Sequence, residues 1–280
     1  MSSSSSAPPR GALSGRRILV LGASGIVGEG IARSCLLAGA DVVAPVRRAS
    51  QIAGVSGGLA AWARAGGGSA EVVAFDFSTR EGLEALRARF GAGSFDAIAA
   101  SLGGHLPTKD VMSITESEFE SLIRLRTWSQ VLCAQTLLPL VRPGGAYLVA
   151  TGKLGQHCSK ADLAAYTLAS SAVYGVVNAL RAYAAEQGDG VRVLELRLGL
   201  VLRRDEEPCH HQFPSSASAP GTAAGRGAVA ALLGADRDGL LLWDDPRLMV
   251  SGEEAKTAWE QTQRMLEERA SGAAGDGAKL

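Results

Sequence analysis

The chain has 280 residues, 46% of them apolar, and a formal net charge of zero. That length accommodates one large α/β domain or two small ones, and the balanced charge points away from nucleic acid or an acidic surface as partner. Cys35, Cys133, Cys158 and Cys209 lack paired spacing, which fits a reducing compartment better than a disulfide framework.

Met1 to Gly15 is rich in Ser, Pro and Gly, so residues 1–15 are expected to be disordered. The segment carries basic but no acidic residues, as an organelle import segment does. The first apolar strand nevertheless begins at Ile18 and no apolar h-region precedes it, so a floppy terminus and a cytoplasmic location are the expectation.

Ile18-Leu19-Val20-Leu21 leads into Gly22-Ala23-Ser24-Gly25-Ile26-Val27-Gly28, then a helical pattern ending at Gly39, then Asp41 to Val46. Strand, glycine turn, helix and strand form a βαβ unit. Glycines at offsets of zero, three and six provide a tight turn, close backbone approach to phosphate, and close helix–sheet contact. Gly22, Ser24, Gly25, Ile26 and Gly28 are the candidates to hold a pyrophosphate at the helix N-terminus. Val27, Ile31, Cys35 and Ala38 make one apolar face, which casts Cys35 as a core residue.

Arg47 and Arg48 follow the second strand, where an acidic residue would accept from a ribose 2′-hydroxyl. An arginine fork offers charge to a 2′-phosphate, so NADP is expected over NAD. The alternative is that both are solvated surface charge.

Further strands are expected at Glu71–Phe75, Phe95–Ala100, Ala146–Ala150, Val191–Arg197 and Leu240–Trp243. Helices are expected near Thr79–Phe90, Thr115–Leu138, Asp162–Glu186, Ala223–Leu233 and Gly252–Arg269. Gly54–Gly68 reads as a loose connector with at most a short helix around Leu59–Arg64, Arg203–Gly221 as a polar loop, and residues 271–280 as a disordered tail. This alternation predicts an α/β fold, a doubly wound parallel sheet of about seven strands with helices on both faces, in one domain over residues 16–270. The uncharged stretch Leu163–Leu180 has helical periodicity and polar residues, and reads as a core helix rather than a membrane span.

The glycine turn, the alternating layout and two later segments resemble the short-chain dehydrogenase/reductase family, a Rossmann-type fold, over roughly Arg17 to Trp243. The resemblance implies that Asp76, with Phe77 beside it, receives the adenine amino group; an N-cap for the helix after Ser78 is the alternative for Asp76. Ser101 and Gly103 stand in the place of the family's Asn-Asn-Ala-Gly loop, of which only the Gly survives. Tyr166 to Gly175 resembles the active-site helix, with Tyr166 as acid/base. The family's Lys position holds Ser170, and its carbonyl-orienting Ser falls at Gly152 or Lys153. Arg126 stands where the family has a structural Asn. A Tyr hydroxyl, with a reference pKa of about 10, needs a nearby cation to work near neutrality.

Two readings follow. In one, the site is rebuilt around Tyr166, with Lys153 as cation and Thr151 or Ser170 as hydroxyl, in an NADP-dependent oxidoreductase acting on a small carbonyl or alcohol. In the other, the chain is a non-catalytic NADP(H)-binding sensor, scaffold or regulatory protein. The resemblance also implies a homodimer or homotetramer through the helices at Thr115–Leu138 and Asp162–Glu186, with neither nucleic acid nor membrane as partner. Cys209-His210-His211 and His157-Cys158 fit no four-ligand zinc pattern and read as loop residues, so no metal is expected. His105 near the cofactor mouth reads as a proton-donor candidate or a surface loop histidine.

Overall fold

The computed structural model describes residues 11–103, 109–156, 158, 160–199, 201–203, 218–232 and 240–243. Seven strands make one sheet: β1 (Arg17–Leu21), β2 (Asp41–Val46), β3 (Ala70–Ala74), β4 (Phe95–Ala100), β5 (Val141–Gly152), β6 (Arg192–Leu198) and β9 (Leu240–Trp243). Their order is β3-β2-β1-β4-β5-β6-β9, with every pairing parallel. Two short strands, β7 (Val201–Arg203) and β8 (Ser218–Pro220), form a separate parallel ribbon.

Parallel strands buried on both faces read as continuous apolar runs, and β1 shows why. Ile18 and Val20 face one core, where α1 (Ile26–Leu37), α2 (Ile52–Gly66) and α7 (Gly221–Leu232) contribute Ile31, Cys35, Leu59 and Ala228. Leu19 and Leu21 face the other, with Leu83 and Leu86 of α3 (Arg80–Phe90), Cys133 and Leu137 of α5 (Ser129–Leu137), and Val173 and Val177 of α6 (Ala164–Gln187). Cys35 is thus a core thiol, pushed up to about 12 by burial. α6, the one described helix long and apolar enough to span a membrane, lays Val173 and Val177 on the sheet. At the N-terminal end of the sheet, buried Asp96 accepts from the Arg17 N–H at 2.7 Å and pairs with Arg16 and Arg142 at 3.1 and 3.0 Å, tying β1, β4 and β5 together.

The fold departs from the sequence expectation in several places; β8, for one, lies inside the stretch Arg203–Gly221 expected as a polar loop. Gly11–Gly15 forms a turn that belongs to the body: Leu13 is buried and its N–H donates to the Ala38 carbonyl at 2.8 Å. The Gly54–Gly68 stretch, expected to be loose, carries the 15-residue helix α2. Its glycines disfavour a helix, but Val55, Leu59, Trp62 and Ala63 form a stripe that packs on α1, and a Cβ at Gly66 would overlap the Leu36 carbonyl. Tertiary burial outweighs propensity here. The helix expected over Thr115–Leu138 is interrupted: α4 (Glu116–Leu122) is separated from α5 by a π-helical turn at Ile123–Trp128. The Gly252–Arg269 helix, the tail, and His105, His157 and Cys209 to His211 lie outside the described residues.

α1 is held between α2 and α7 at backbone contact. A Cβ at Gly225 of α7 would overlap the Gly30 carbonyl oxygen and the Ser34 hydroxyl of α1. Gly225→Ala should therefore destabilise the protein by about 2 kcal/mol through overpacking, read as a lower midpoint in denaturant unfolding.

Candidate active site

The strand order reverses between β1 and β4, and in open α/β sheets the crevice at the strand C-termini beside that reversal is where ligands bind. The turn after β1 is built by contact. Gly22 has φ +81°, and a Cβ there would overlap the Ser101 carbonyl oxygen beyond β4. A Cβ at Gly28 would overlap the Gly22 carbonyl, which also accepts the Gly25 N–H at 2.9 Å. Gly22 and Gly28 are therefore demanded by packing.

Gly25 is different. Its backbone is extended, at φ −100° and ψ 162°, and a Cβ there would meet only the Gly22 carbonyl, at contact distance. Nothing among the described residues requires glycine at this exposed position, whereas a phosphate seated against the backbone would. Gly25 is also the N-cap of α1 and makes no side-chain cap hydrogen bond. The amides of the first turn, Ile26 included, thus open at the positive end of the helix dipole. The turn fits a diphosphate, with Ser24 exposed at its rim.

Arg47 and Arg48 are exposed at the end of β2, and neither side chain pairs with a carboxylate among the described residues. Asp76 is not a helix N-cap, since Thr79 caps α3 by accepting the Gly82 N–H at 3.1 Å. Asp76 Oδ1 accepts from the Ser78 N–H and hydroxyl, and Oδ2 has no partner among the described residues. Phe77 packs partly into the core, and its carbonyl accepts from Cys133 Sγ at 3.7 Å. Ser101 donates its N–H to the Leu21 carbonyl at 3.2 Å, and Gly103 is exposed beyond it.

Tyr166 is half-buried in the first turns of α6, packed against Leu122, Ala165 and Ala169. Arg126, carried by the π turn, places Cζ 5.9 Å from the Tyr166 ring centroid. Partial burial pulls the Arg126 guanidinium below its usual range, and nearby Tyr166 acts in the opposite direction; it remains a cation at physiological pH. Ser170 is buried one turn further along α6, against the backbone of the turn Lys153–Gly155. Lys153 itself is exposed on that turn.

Thr151 does not act as the expected site hydroxyl. It is buried, and Oγ1 donates to Glu195 Oε1 at 2.6 Å. Glu195 also receives Arg197 Nε and a terminal nitrogen at 2.8 and 2.9 Å, and Arg197 stacks 3.9 Å from the Tyr174 ring centroid. The Tyr174 hydroxyl donates to the Gly152 carbonyl. Burial, reinforced by the Glu195 carboxylate, holds that hydroxyl above the usual phenol range despite the Arg197 cation. This network sets the Gly152–Lys153 turn rather than supplying a reactive group. Glu195 and Arg197 sit two positions apart on one face of β6, both buried, a polar pair whose inward placement shows only from β6 lying under α6.

Residues 22–211 match the family model described as enoyl-(acyl carrier protein) reductase. Together with the fold and the glycine turn, this places the chain in the short-chain dehydrogenase/reductase family. No curated protein sequence matches. Among solved structures, the chain is similar to the Pseudomonas aeruginosa RhlG/NADP complex, with 21% identity, TM-score 0.69, and 84% of this chain covering 97% of that one. It is also similar to a Burkholderia cenocepacia short-chain dehydrogenase in complex with NADP, at 17% identity and TM-score 0.66, covering 83% and 98% of the two chains. An alcohol dehydrogenase from the archaeon Thermococcus sibiricus, complexed with 5-hydroxy-NADP, gives 22% identity and TM-score 0.65, with 82% and 96% covered.

Removing one partner of a buried ion pair strands the other. Arg197→Met should cost about 3 kcal/mol of stability by leaving Glu195 uncompensated, measured by denaturant unfolding, while the exposed substitution Lys153→Met should change stability little.

Proposed function

We propose that the protein is an NADP(H)-dependent oxidoreductase acting on a small carbonyl or alcohol substrate, with Tyr166 as its acid/base. The observation that carries the reading is Gly25: a glycine that packing among the described residues does not need, at the uncapped start of α1, where a diphosphate would require it. Arg47 and Arg48, which have no carboxylate partner among the described residues, support a 2′-phosphate beyond the ribose, and the NADP complexes among the similar structures agree with that choice.

In this reading the first amides of α1 would hold the diphosphate, Arg47 and Arg48 the 2′-phosphate, and Asp76, through its Oδ2, the adenine amino group. When bound, the nicotinamide supplies the hydride. Tyr166 gives its hydroxyl proton to the substrate oxygen on reduction, or takes it back on oxidation.

A second reading, a non-catalytic NADP(H)-binding protein, is favoured by two observations: the Thr151 hydroxyl is committed to Glu195, and the family's Lys position holds a buried Ser170. Self-association through α4 and the π turn is supported by Phe119, Leu125 and Trp128, which stay 43%, 44% and 43% exposed.

Arg47→Ala combined with Arg48→Ala should weaken NADPH binding by about 10- to 100-fold and leave NADH binding nearly unchanged in fluorescence titration; equal losses defeat the NADP assignment. With a panel of ketones, aldehydes, quinones and enones followed by NADPH absorbance, Tyr166→Phe should lower kcat by about 100-fold or more. Tight NADPH binding with no turnover of any substrate selects the second reading.

A further inference from the structure

Within the oxidoreductase reading, Tyr166 lacks the lysine that its family places one helical turn later. A cation nevertheless stands beside the ring, delivered from another element. Arg126 lies on the π-helical turn between α4 and α5, and its Cζ is 5.9 Å from the Tyr166 ring centroid. The wider turn inserts an extra residue per cycle, which re-aims side chains relative to a regular helix.

Gly103 lies at ordinary contact distance from that side chain. Its φ is +132°, and a Cβ there would stand 3.5 Å from Arg126 Cγ and Nε and 3.6 Å from Cζ. Arg126 is thus lodged between the loop after β4, at the cofactor crevice, and the face of Tyr166. Leu122, Ala165 and Ala169 pack against Tyr166 and leave it half-buried, and a charge acts more strongly where water is partly excluded.

We propose that Arg126 takes the place of the family lysine, offsetting the negative charge left on Tyr166 Oη when its proton departs for the substrate oxygen. In that step the Tyr166 O–H bond breaks, the proton bonds to the substrate alkoxide oxygen, and the electron pair stays on Oη until solvent returns a proton. A guanidinium over the ring already meets the negative face of the π system, and its attraction grows when the ring becomes a phenolate. Because Arg126 works through Tyr166, it is a positioning residue.

The other charged groups around Tyr166 are compensated or exposed. Lys109, whose carbonyl accepts the Ala165 N–H at 3.4 Å, holds Glu118 at 2.5 and 2.7 Å. That contact keeps the Glu118 carboxyl down at about 2, so the pair stays closed and neutral at higher pH. Glu116 and Glu120 on α4, Arg124 on the π turn, and Lys160 and Asp162 before α6 are exposed, as is Lys153 on the turn against Ser170.

The test reads Tyr166 in the protein without cofactor. The tyrosinate absorbance lost in Tyr166→Phe isolates this ring from the others. In Arg126→Gln that band should develop about one pH unit higher than in the unaltered protein, and in Arg126→Lys close to the unaltered position. A band unmoved in Arg126→Gln, or one that follows Lys153→Met instead, overturns the proposal. A second measurement needs no change at position 126: the Arg126 guanidinium nitrogen resonance should shift across the same pH interval as the band, and this shift should vanish in Tyr166→Phe. A static resonance overturns the proposal. Neither readout needs coenzyme or substrate, so failed NADPH binding or turnover defeats the oxidoreductase reading separately and removes the catalytic role.

Discussion

Three backbone segments meet at the turn after β1 with no side chain between them. Gly22 lies on the Ser101 carbonyl, and Gly28 lies on the carbonyl of Gly22. These contacts join the end of β1, the end of β4 and the first turn of α1, and so decide where the α1 amides point. The glycines at α2 and α7 extend the same constraint, because α1 is held at backbone distance on both flanks. A side chain at any of these positions would push α1 outward and move the helix dipole away from the crevice. The proposed cofactor site is therefore a consequence of close backbone packing more than of any side chain.

The chemistry at the other side of the crevice is distributed unusually for the family. The position one turn after Tyr166 holds an uncharged, buried serine, and the cation comes from the π turn of a neighbouring helix. The Thr151 hydroxyl, which might be expected to face substrate, instead ties into Glu195 and Arg197 beneath α6. Burying that ion pair is costly unless each partner is satisfied, and here Thr151 and the Tyr174 ring complete it. The network ties the Gly152–Lys153 turn to α6, and in the proposed reading Tyr166 and Arg126 carry the polar face of the site.

Much of the fold is legible in the chain because parallel strands covered on both faces are unbroken apolar runs. β2, β4 and β9 begin and end where Asp41–Val46, Phe95–Ala100 and Leu240–Trp243 predict. β5 runs longer than the apolar run Ala146–Ala150 alone indicates, since its first residues pair with β4 through an irregular register. α2 is hidden by its glycines, whose low helix propensity is overcome by a stripe from Val55 to Ala63 that has value only against α1. The break in the helix after Thr115 has no local signature in composition.

The sequence by itself determined the βαβ unit, the glycine offsets, the absence of an acid after β2 and the identity of Tyr166, because each depends on residue type at a short spacing. Tertiary structure alone decided that Gly25 is spare for packing, that Thr151 is drawn into a buried carboxylate, and that Arg126 reaches the face of Tyr166. The last two are meetings of groups 40 or more positions apart, one of them aimed by a π turn, and local periodicity carries no information about which distant side chains share a volume.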